Sequence, residues 1–459
     1  MDYLKYLNAA LAHGGEFADL FFEDKEGLSI SLEEGKVESL HYGQEKGVGV
    51  RVIADLATAY AYTDGWEDSA ILEACAAAKN LSSQEARLKI ADLREQKRPQ
   101  LFRVAQPAYQ AAISDKVDLV MRAQNAAYEF SPKISQVIVR FKEYRQKILV
   151  VNSYGELTQD ERIYLVLLVH TFASDNGQIQ TGYEGRGGFV GMEVFEETTP
   201  EEIGRAAAAQ ALTMCEAKPA PAGVMPVVIG PAFGGVLFHE ACGHGLEADF
   251  IYKKASIYTD KIGEQVASPL VTLVDDATIP GKQGSYLFDD EGIASEKTVL
   301  IEQGILKTYL CDRLEGMKLG INSTGNGRRQ SYFHLPIPRM SNTFLAAGES
   351  DPKDLIASVK QGLYVKKMGG GQVDIVSGDF VFSVTEGYLI EDGQLTSAVK
   401  GANLTGNGPQ VLSDVAGVGT DLELDRGTGH CGKGQMVPVS VGQPTIFIPK
   451  MTVGGTNVV

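Results

Sequence analysis

The chain has 459 residues, which exceeds one ordinary hydrophobic core and predicts two domains. Its net charge of −17 disfavours binding to nucleic-acid phosphates. No segment approaches the roughly 18 uninterrupted apolar residues of a membrane-spanning helix, and the first residues lack the basic start and apolar run of a signal peptide. We therefore expect a cytoplasmic protein that binds neither nucleic acid nor membranes.

The cysteines are odd in number, widely scattered and without a CxxC pair. They are Cys75, Cys215, Cys242, Cys311 and Cys431. A disulfide framework is disfavoured, and reduced thiols are typical of the cytoplasm. At least one thiol is then free to act as a metal ligand.

The first half of the chain mixes predicted helices with short predicted strands. Helices are expected at 2–12, 67–80, 114–130 and 199–217, and strands at 18–23, 28–32, 37–42, 47–53, 57–63, 134–143, 147–151, 156–171 and 178–186. Turn residues between neighbouring strands favour antiparallel hairpins. Residues 81–113 are polar, contain two prolines and are predicted to be a connection.

A rigid, polar segment at residues 218–223 has the composition of a domain linker. It divides the chain into an N-terminal domain, 1–218, and a C-terminal domain, 219–459. Beyond it, the pattern predicts a helix at 232–247 and strands at 224–229, 270–274, 298–302, 305–310, 380–391 and 394–398. The predicted fold class is α+β: an N-terminal domain of antiparallel or mixed sheet with helices, and a mainly β C-terminal domain carrying one prominent helix.

That helix carries two histidines and a glutamate within six residues, His239, Glu240 and His244. The common zinc-protease motif, HExxH, spaces its histidines four residues apart, whereas here they are five apart. An α-helix turns about 100° per residue, so this spacing sets the two rings roughly 140° apart. Both rings reach one metal only if the helix has a π-bulge or ends near Gly243. We favour the bulge, because such bulges are frequent at functional sites.

Two neutral imidazoles suit Zn²⁺ and leave room for a third protein ligand and a water. Such a metal lowers the pKa of the water and polarises a peptide carbonyl. Glu240, next to the first histidine, would take the proton from the metal-activated water and pass it to the leaving amine. The motif therefore indicates metal-dependent peptide hydrolysis.

Spacing does not settle the third ligand. Cys242 competes for the same turn and is better interpreted as a packed thiol. Glu247 and Asp249 follow closely, and His430 and Cys431 lie in a distant glycine-rich loop whose backbone can approach a site. The remaining histidines are interpreted as structural or surface residues: His13, His41, His170 and His334.

The C-terminal half resembles the TldD/PmbA family of peptidases, on its metal-bearing TldD side. The segments that carry the resemblance are 239–247 (an HExxxH motif), 338–343, 371–373, 377–382, 431–435 and 452–456. The resemblance of the N-terminal half to the family is diffuse and rests on the order of elements and on short segments such as residues 47–51. The combination of motifs is specific to this family.

The resemblance implies a zinc-type metalloprotease that hydrolyses short, unfolded or flexible peptides. Carried over to this chain, His239, His244 and Cys431 hold one divalent metal, expected to be Zn²⁺, and Glu240 is the base. Residues 219–459 are then the metallopeptidase domain. The segment after Cys431 is one residue shorter than the family's CGKxGQ pattern, which bears on the shape of the loop.

The resemblance also implies an assembly, either a homodimer or a heterodimer with a metal-free paralogue of the TldE/PmbA type. Two other functions stay open from the residues alone. The metal could be structural in a binding module, in which case four protein ligands would close the site. The chain could also hydrolyse a non-peptide amide.

Overall fold

The computed structural model describes residues 1–79 and 92–455, together with the backbone of 457–458. Its α-helices are α1 (Tyr3–Ala10), α2 (Asp68–Ala78), α3 (Ile113–Phe130), α4 (Val194–Glu197), α5 (Pro200–Glu216), α6 (Val236–Phe238), α7 (Ala248–Tyr252), α8 (Arg313–Leu319), α9 (Pro352–Ala357) and α10 (Gly408–Asp414). The 3₁₀-helices are Ala108–Gln110, Ala232–Gly235 and His244–Leu246, and His239–Gly243 is a π-helix.

Strands fall into two groups along the chain. Those of the first half are β1 (Phe17–Glu33), β2 (Lys36–Ala54), β3 (Ala57–Asp64), β4 (Arg94–Glu95), β5 (Ile134–Asn152), β6 (Glu156–Asp175) and β7 (Gln178–Gly188). Those of the second half are β8 (Lys218–Pro219), β9 (Pro221–Ile229), β10 (Leu273–Asp276), β11 (Lys297–Glu302), β12 (Ile305–Leu306), β13 (Gly327–Arg328), β14 (Ile337–Pro338), β15 (Asn342–Leu345), β16 (Gln361–Val373), β17 (Asp379–Glu391), β18 (Gln394–Lys400), β19 (Asn403–Asn407), β20 (Gly417–Val418), β21 (Glu423–Leu424), β22 (His430–Gly432), β23 (Met436–Pro438), β24 (Ser440–Gln443), β25 (Ile446–Gly454) and β26 (Asn457–Val458).

The N-terminal sheet has the order β3-β2-β1-β5-β6-β4, with β7 also paired to β6. Only β4 runs parallel to its neighbour. Side chains alternate between the two faces of a strand, so Leu20, Phe22, Leu28 and Ile30 of β1 share one face. Helices α1 and α2 pack on one end of that face, and α3 and α5 pack on the other.

In three places, two predicted short strands form one long strand in the structure; these long strands are β1, β2 and β5. The turn residues that suggested breaks lie inside the ladder, where Gly27 faces Gly43 across β1 and β2. A Cβ at Gly27 would come within 2.8 Å of the Glu143 carbonyl oxygen on β5, so this glycine permits close strand approach. Pairing on both sides overrides the local turn preference.

The predicted helices at 114–130 and 199–217 are confirmed as α3 and α5. Thr199 caps α5 and forms a reciprocal capping box with Glu202. The predicted helix at 67–80 corresponds to α2, and its residue 80 lies outside the described residues. Residues 81–91 of the predicted connection also lie outside them. The second half has four further short helices, α7 to α10, that the sequence did not predict.

The second half is β-rich, so the predicted α+β class is confirmed. Five strands of its nine-stranded sheet, β16, β9, β25, β19 and β17, pair in that order, and β16 pairs with β17 to close the ring. A second, six-stranded sheet has the order β12-β11-β10-β15-β24-β21. The predicted linker, residues 218–223, is extended and pairs within the larger sheet as β8 and the start of β9. The division at residue 218 stays a prediction.

The two halves meet on the face of the N-terminal sheet opposite its helices. Arg51 there pairs with Asp19 and with Glu291 of the second half. Arg162 pairs with Asp290 at 2.8 Å. Buried charges persist because each faces an opposite charge, so these pairs fix the two halves against each other. In the described part of the chain, no helix is both long and apolar enough to cross a membrane.

Candidate metal centre

The chain leaves β9 at Ile229 and enters one continuous helical path from Ala232 to Leu246. This path is 3₁₀-helical, then α-helical, then π-helical at His239–Gly243, and finally 3₁₀-helical. The backbone N–H of His244 donates to the His239 carbonyl, a bond that spans five residues. The predicted π-bulge is confirmed, and it sets the two histidine rings 5.2 Å apart between centroids.

Close packing on two sides accompanies the widened turn. A Cβ at Gly243 would lie 2.2 Å from Met340 Sδ, and a Cβ at Gly235 would lie 2.5 Å from the Gly442 backbone on β24. Only glycine lets the helical path approach both neighbours this closely. The glycines of this segment therefore have a packing role beside their conformational freedom.

The structure brings three of the predicted site residues together. His239 Nε2 and His244 Nε2 each lie 3.2 Å from Cys431 Sγ. Within residues 1–79 and 92–455, this is the one group of three or more His, Cys, Asp or Glu side chains whose donor atoms all lie within 4.8 Å. All three side chains are buried, at 2%, 5% and 4% exposure. The cluster joins residues 192 positions apart in sequence.

Cys431 reaches the helix from the hairpin of β22 and β23. Successive side chains of a strand point to opposite faces, so His430 points away from the cluster while Cys431 points into it. His430 instead lines the adjacent cavity. Of the two residues considered in this loop, the structure therefore brings Cys431, and not His430, to the two histidines.

The donor set fits a divalent metal. Ligands about 2.0–2.3 Å from a tetrahedral ion are about 3.3–3.7 Å from each other, close to the observed donor separations. Two imidazoles and a thiolate suit Zn²⁺ among common cations. Among the described residues the cluster has three protein donors, and three protein ligands would leave a fourth position for water or substrate, as in catalytic rather than structural zinc sites.

Electrostatics favour the thiolate form of Cys431. Burial raises the pKa of this thiol, but the charges and hydrogen bonds of His239 and His244 lower it to about 4. Burial lowers the pKa of His244, while the charge of Glu247 and the hydrogen bonds that the imidazole donates to Cys431 and Glu247 raise it well above its usual value. A thiolate is the form of cysteine that binds metals.

The other nearby ligand candidates have different partners. Glu247 Oε2 lies 2.9 Å from His244 Nδ1, on the far side of the ring from Cys431. Asp249 accepts from Lys433 Nζ at 2.6 Å. Cys242 is buried beside Tyr258, and burial raises the pKa of its thiol to about 12.

Glu240 lies at the border between the cluster and an open cavity. Its Oε2 is 3.8 Å from His244 Nε2, and its side chain is 25% exposed. Glu240 and His239 line a cavity of about 970 Å³ between the two halves of the molecule. A carboxylate at this place can exchange a proton with a molecule in the cavity.

The wall opposite the helix comes from the N-terminal sheet and α5. It includes His170 on β6, Tyr183 on β7 and Gln210 on α5. Sequence reasoning missed these residues and interpreted His170 as structural or surface. No local pattern marks them, because they reach the cavity only through the packing of the two halves.

Comparison with known proteins agrees with this geometry. The profile of the PmbA/TldA metallopeptidase C-terminal domain matches residues 222–455. Profiles of domain 1 and of the central domain of the same metallopeptidases match residues 18–82 and 107–214. A metalloprotease TldD homologue of Haemophilus influenzae is 42% identical over 96% of this chain and 93% of its own length. This chain belongs to the PmbA/TldD family of metalloproteases.

Solved structures share the fold of this family member. A Thermotoga maritima protein has a TM-score of 0.80 at 22% identity, covering 95% of this chain and 96% of its own. TldE from Thermococcus kodakarensis has a TM-score of 0.78 at 19% identity, covering 99% of this chain and 100% of its own. Likeness at these identities concerns the fold alone.

Proposed function

We propose that this chain hydrolyses peptide bonds in short, unfolded or flexible peptides, with His239, His244 and Cys431 as metal ligands and Glu240 as general base. The observation that carries the proposal is the position of Glu240. Its carboxylate lies beside the three-donor cluster and also lines the large cavity. The family membership and the names of the relatives support the same conclusion.

The proposed roles follow from the contacts. When bound, a divalent metal, proposed to be Zn²⁺, supplies a water of lowered pKa and a Lewis acid for the scissile carbonyl. Glu240 accepts the proton of the attacking water and returns it to the leaving amine. His239 and His244 face Cys431 through their Nε2 atoms, which leaves Glu240 free of the cluster.

The cavity supports a flexible substrate. Its volume of about 970 Å³ is at the upper end of small-ligand pockets, so it accommodates a short extended segment and not a folded domain. Strands β7 and β16 contribute to its wall, and exposed strands can align a peptide by main-chain hydrogen bonds. A panel of unfolded peptides and small amides separates peptide hydrolysis from hydrolysis of a non-peptide amide.

We further propose a cytoplasmic location and a dimeric assembly. All five cysteines are free, which suits a reducing compartment. Residues 36–46 of β2 are mostly exposed and pair with β1, whereas β3 pairs with β2 only from Gly47 onwards. Among the described residues, no strand covers this edge of β2, and an open strand edge supports pairing with a second chain, either a copy or a metal-free paralogue.

Glu240→Gln tests the proposed mechanism, because it removes the base and preserves the shape of the side chain. Loss of a general base costs typically about 10²–10⁴-fold in rate. We expect a loss of peptide hydrolysis in this range while bound metal stays at the wild-type stoichiometry. Glu302→Gln is the matched control, since Glu302 is exposed on β11. Undiminished turnover in Glu240→Gln, or activity that persists after complete metal removal by a chelator, contradicts the mechanism.

A further inference from the structure

Lys433 connects the cysteine hairpin to the helical segment. It lies two residues after Cys431, and its side chain is 12% exposed. Its Nζ is 2.9 Å from Glu247 Oε2 and 2.6 Å from Asp249 Oδ1. It also donates to the Pro338 carbonyl at 3.1 Å. One ammonium group thus contacts acceptors from two further segments, and three acceptors match its three protons.

Glu247 links this lysine to a proposed metal ligand. The same oxygen that accepts from Lys433 lies 2.9 Å from His244 Nδ1, and the carboxylate is fully buried. A proton on Nδ1 that is held by Glu247 leaves Nε2 as the lone-pair nitrogen. That nitrogen is the one facing Cys431. Glu247 therefore selects the tautomer that can bind a metal.

Arg339 connects the same carboxylate to the other ligand. Its Nε lies 3.9 Å from Glu247 Oε1, and its Nη2 donates to the Cys431 carbonyl at 2.7 Å. Glu247 thus lies between two cations, each attached to the segment that carries Cys431. A chain of contacts therefore runs from His244 to Glu247, then to Lys433 or Arg339, and on to the segment of Cys431. The contact between His244 and Cys431 closes it into a ring.

We propose that Lys433 and Glu247 are positioning residues that hold His244 and Cys431 in metal-binding geometry, so that metal affinity depends on the contact between them. The proposal rests on the ligand set of the proposed function. Without Lys433, the buried Glu247 loses its nearest cation, and the hairpin loses its side-chain connection to the helix end. Glu247 is then free to shift, and His244 loses its fixed orientation.

A purely structural role for Lys433 is the alternative, because removing one partner of any buried ion pair destabilises a protein. The chain offers a matched control for this effect. Lys116 is 3% exposed and pairs with the buried Glu143 in the N-terminal half, away from the cluster. Lys116→Met and Lys433→Met both remove a buried ammonium and leave a carboxylate behind. Only the second should change the metal centre.

The experiment compares wild type, Lys433→Met, Lys433→Arg and Lys116→Met as full-length proteins. Zn²⁺ affinity is measured by competition with a chromophoric chelator, and Co²⁺ loading reports the thiolate-to-metal charge-transfer band. Replacing such outer partners costs about 10–100-fold in metal affinity. We expect this loss and a perturbed Co²⁺ band in Lys433→Met, partial recovery in Lys433→Arg, and wild-type values in Lys116→Met.

Wild-type metal affinity in Lys433→Met, or an equal loss in Lys116→Met, overturns the proposal. If Lys433→Met does not fold, Glu247→Gln is measured against the same criterion, because it keeps the side-chain shape. Hydrolysis is not part of the readout. If metal-loaded wild type cleaves no peptide while Lys433→Met loses metal affinity as expected, the proposed function is refuted and this inference stands.

Discussion

In the metal-free protein, one thiol should remain ionised at pH values far below those at which thiols usually ionise. Burial raises the pKa of each of the other four cysteines, whereas the two histidines lower that of Cys431 from 9.0 to about 4. At neutral pH, an ordinary thiol of pKa about 8.5 is only about 3% ionised. Cys431 should be fully ionised there, a difference of roughly 30-fold in thiolate content.

The assay is a pH titration of the thiolate ultraviolet absorbance in chelator-treated protein, with Cys431→Ser as the control. One thiolate should persist in wild type and disappear only as the pH falls towards about 4. The Cys431→Ser protein should have no such transition. A transition near the ordinary thiol pKa would refute the interpretation that His239 and His244 ionise this residue.

The same shifts fix the sign of the pH effect on stability. The folded pKa of Cys431 is lowered, so its contribution to stability is present above the unfolded pKa and is lost as the pH falls to about 4. The folded pKa of His244 is raised, so its contribution is complete below the unfolded value and is lost as the pH rises through the folded value. The two contributions together stabilise the metal-free protein most between about pH 4, where the thiolate of Cys431 is lost, and the folded pKa of His244, where its imidazolium is lost.

Two further predictions concern packing and assembly. Gly243→Ala places a Cβ 2.2 Å from Met340 Sδ, and overpacking of this kind costs about 1–3 kcal/mol, so metal affinity and thermal stability should both fall. Adding Met340→Ala should restore part of the affinity, and wild-type affinity in the single variant would contradict the role of this contact. The purified chain should have twice its monomer mass of 49.4 kDa by light scattering, or reach a dimer mass when a metal-free paralogue is added. A monomer under both conditions would contradict the proposed assembly, and Tyr42→Asp on the exposed edge of β2 should weaken the dimer.

Local sequence patterns predicted the helices better than the strand lengths. The capped α5 needs only residues near Thr199, so its start could be read directly. The continuity of β1 through Gly27 depends on β2 and β5, which supply hydrogen bonds on both sides. A glycine that permits close strand approach and a glycine that makes a turn look alike in one sequence.

The candidate site, like the fold, could be predicted from local sequence only in part. The spacing of His239 and His244 demanded a distorted helix, and the structure has the π-helical turn that this geometry requires. The third member of the cluster, Cys431, could not be found by spacing, because it comes from a hairpin 192 residues away from His239. The family resemblance named it. His170 in the cavity wall was found by neither route, since only the packing of β6 against the second half brings it there.

The π-helical turn also accounts for the separate environments of the proposed base and the proposed metal ligands. Widening the turn aligns His239 and His244 on one side, where both Nε2 atoms face Cys431. Glu240 is displaced around the helix axis, so its carboxylate stays near His244 Nε2 but reaches the cavity. The segment from Ala232 to Leu246 changes helix type three times and is too irregular to hold this arrangement alone. Its geometry must therefore be maintained by contacts from outside, which include Met340 against Gly243 and Lys433 against Glu247.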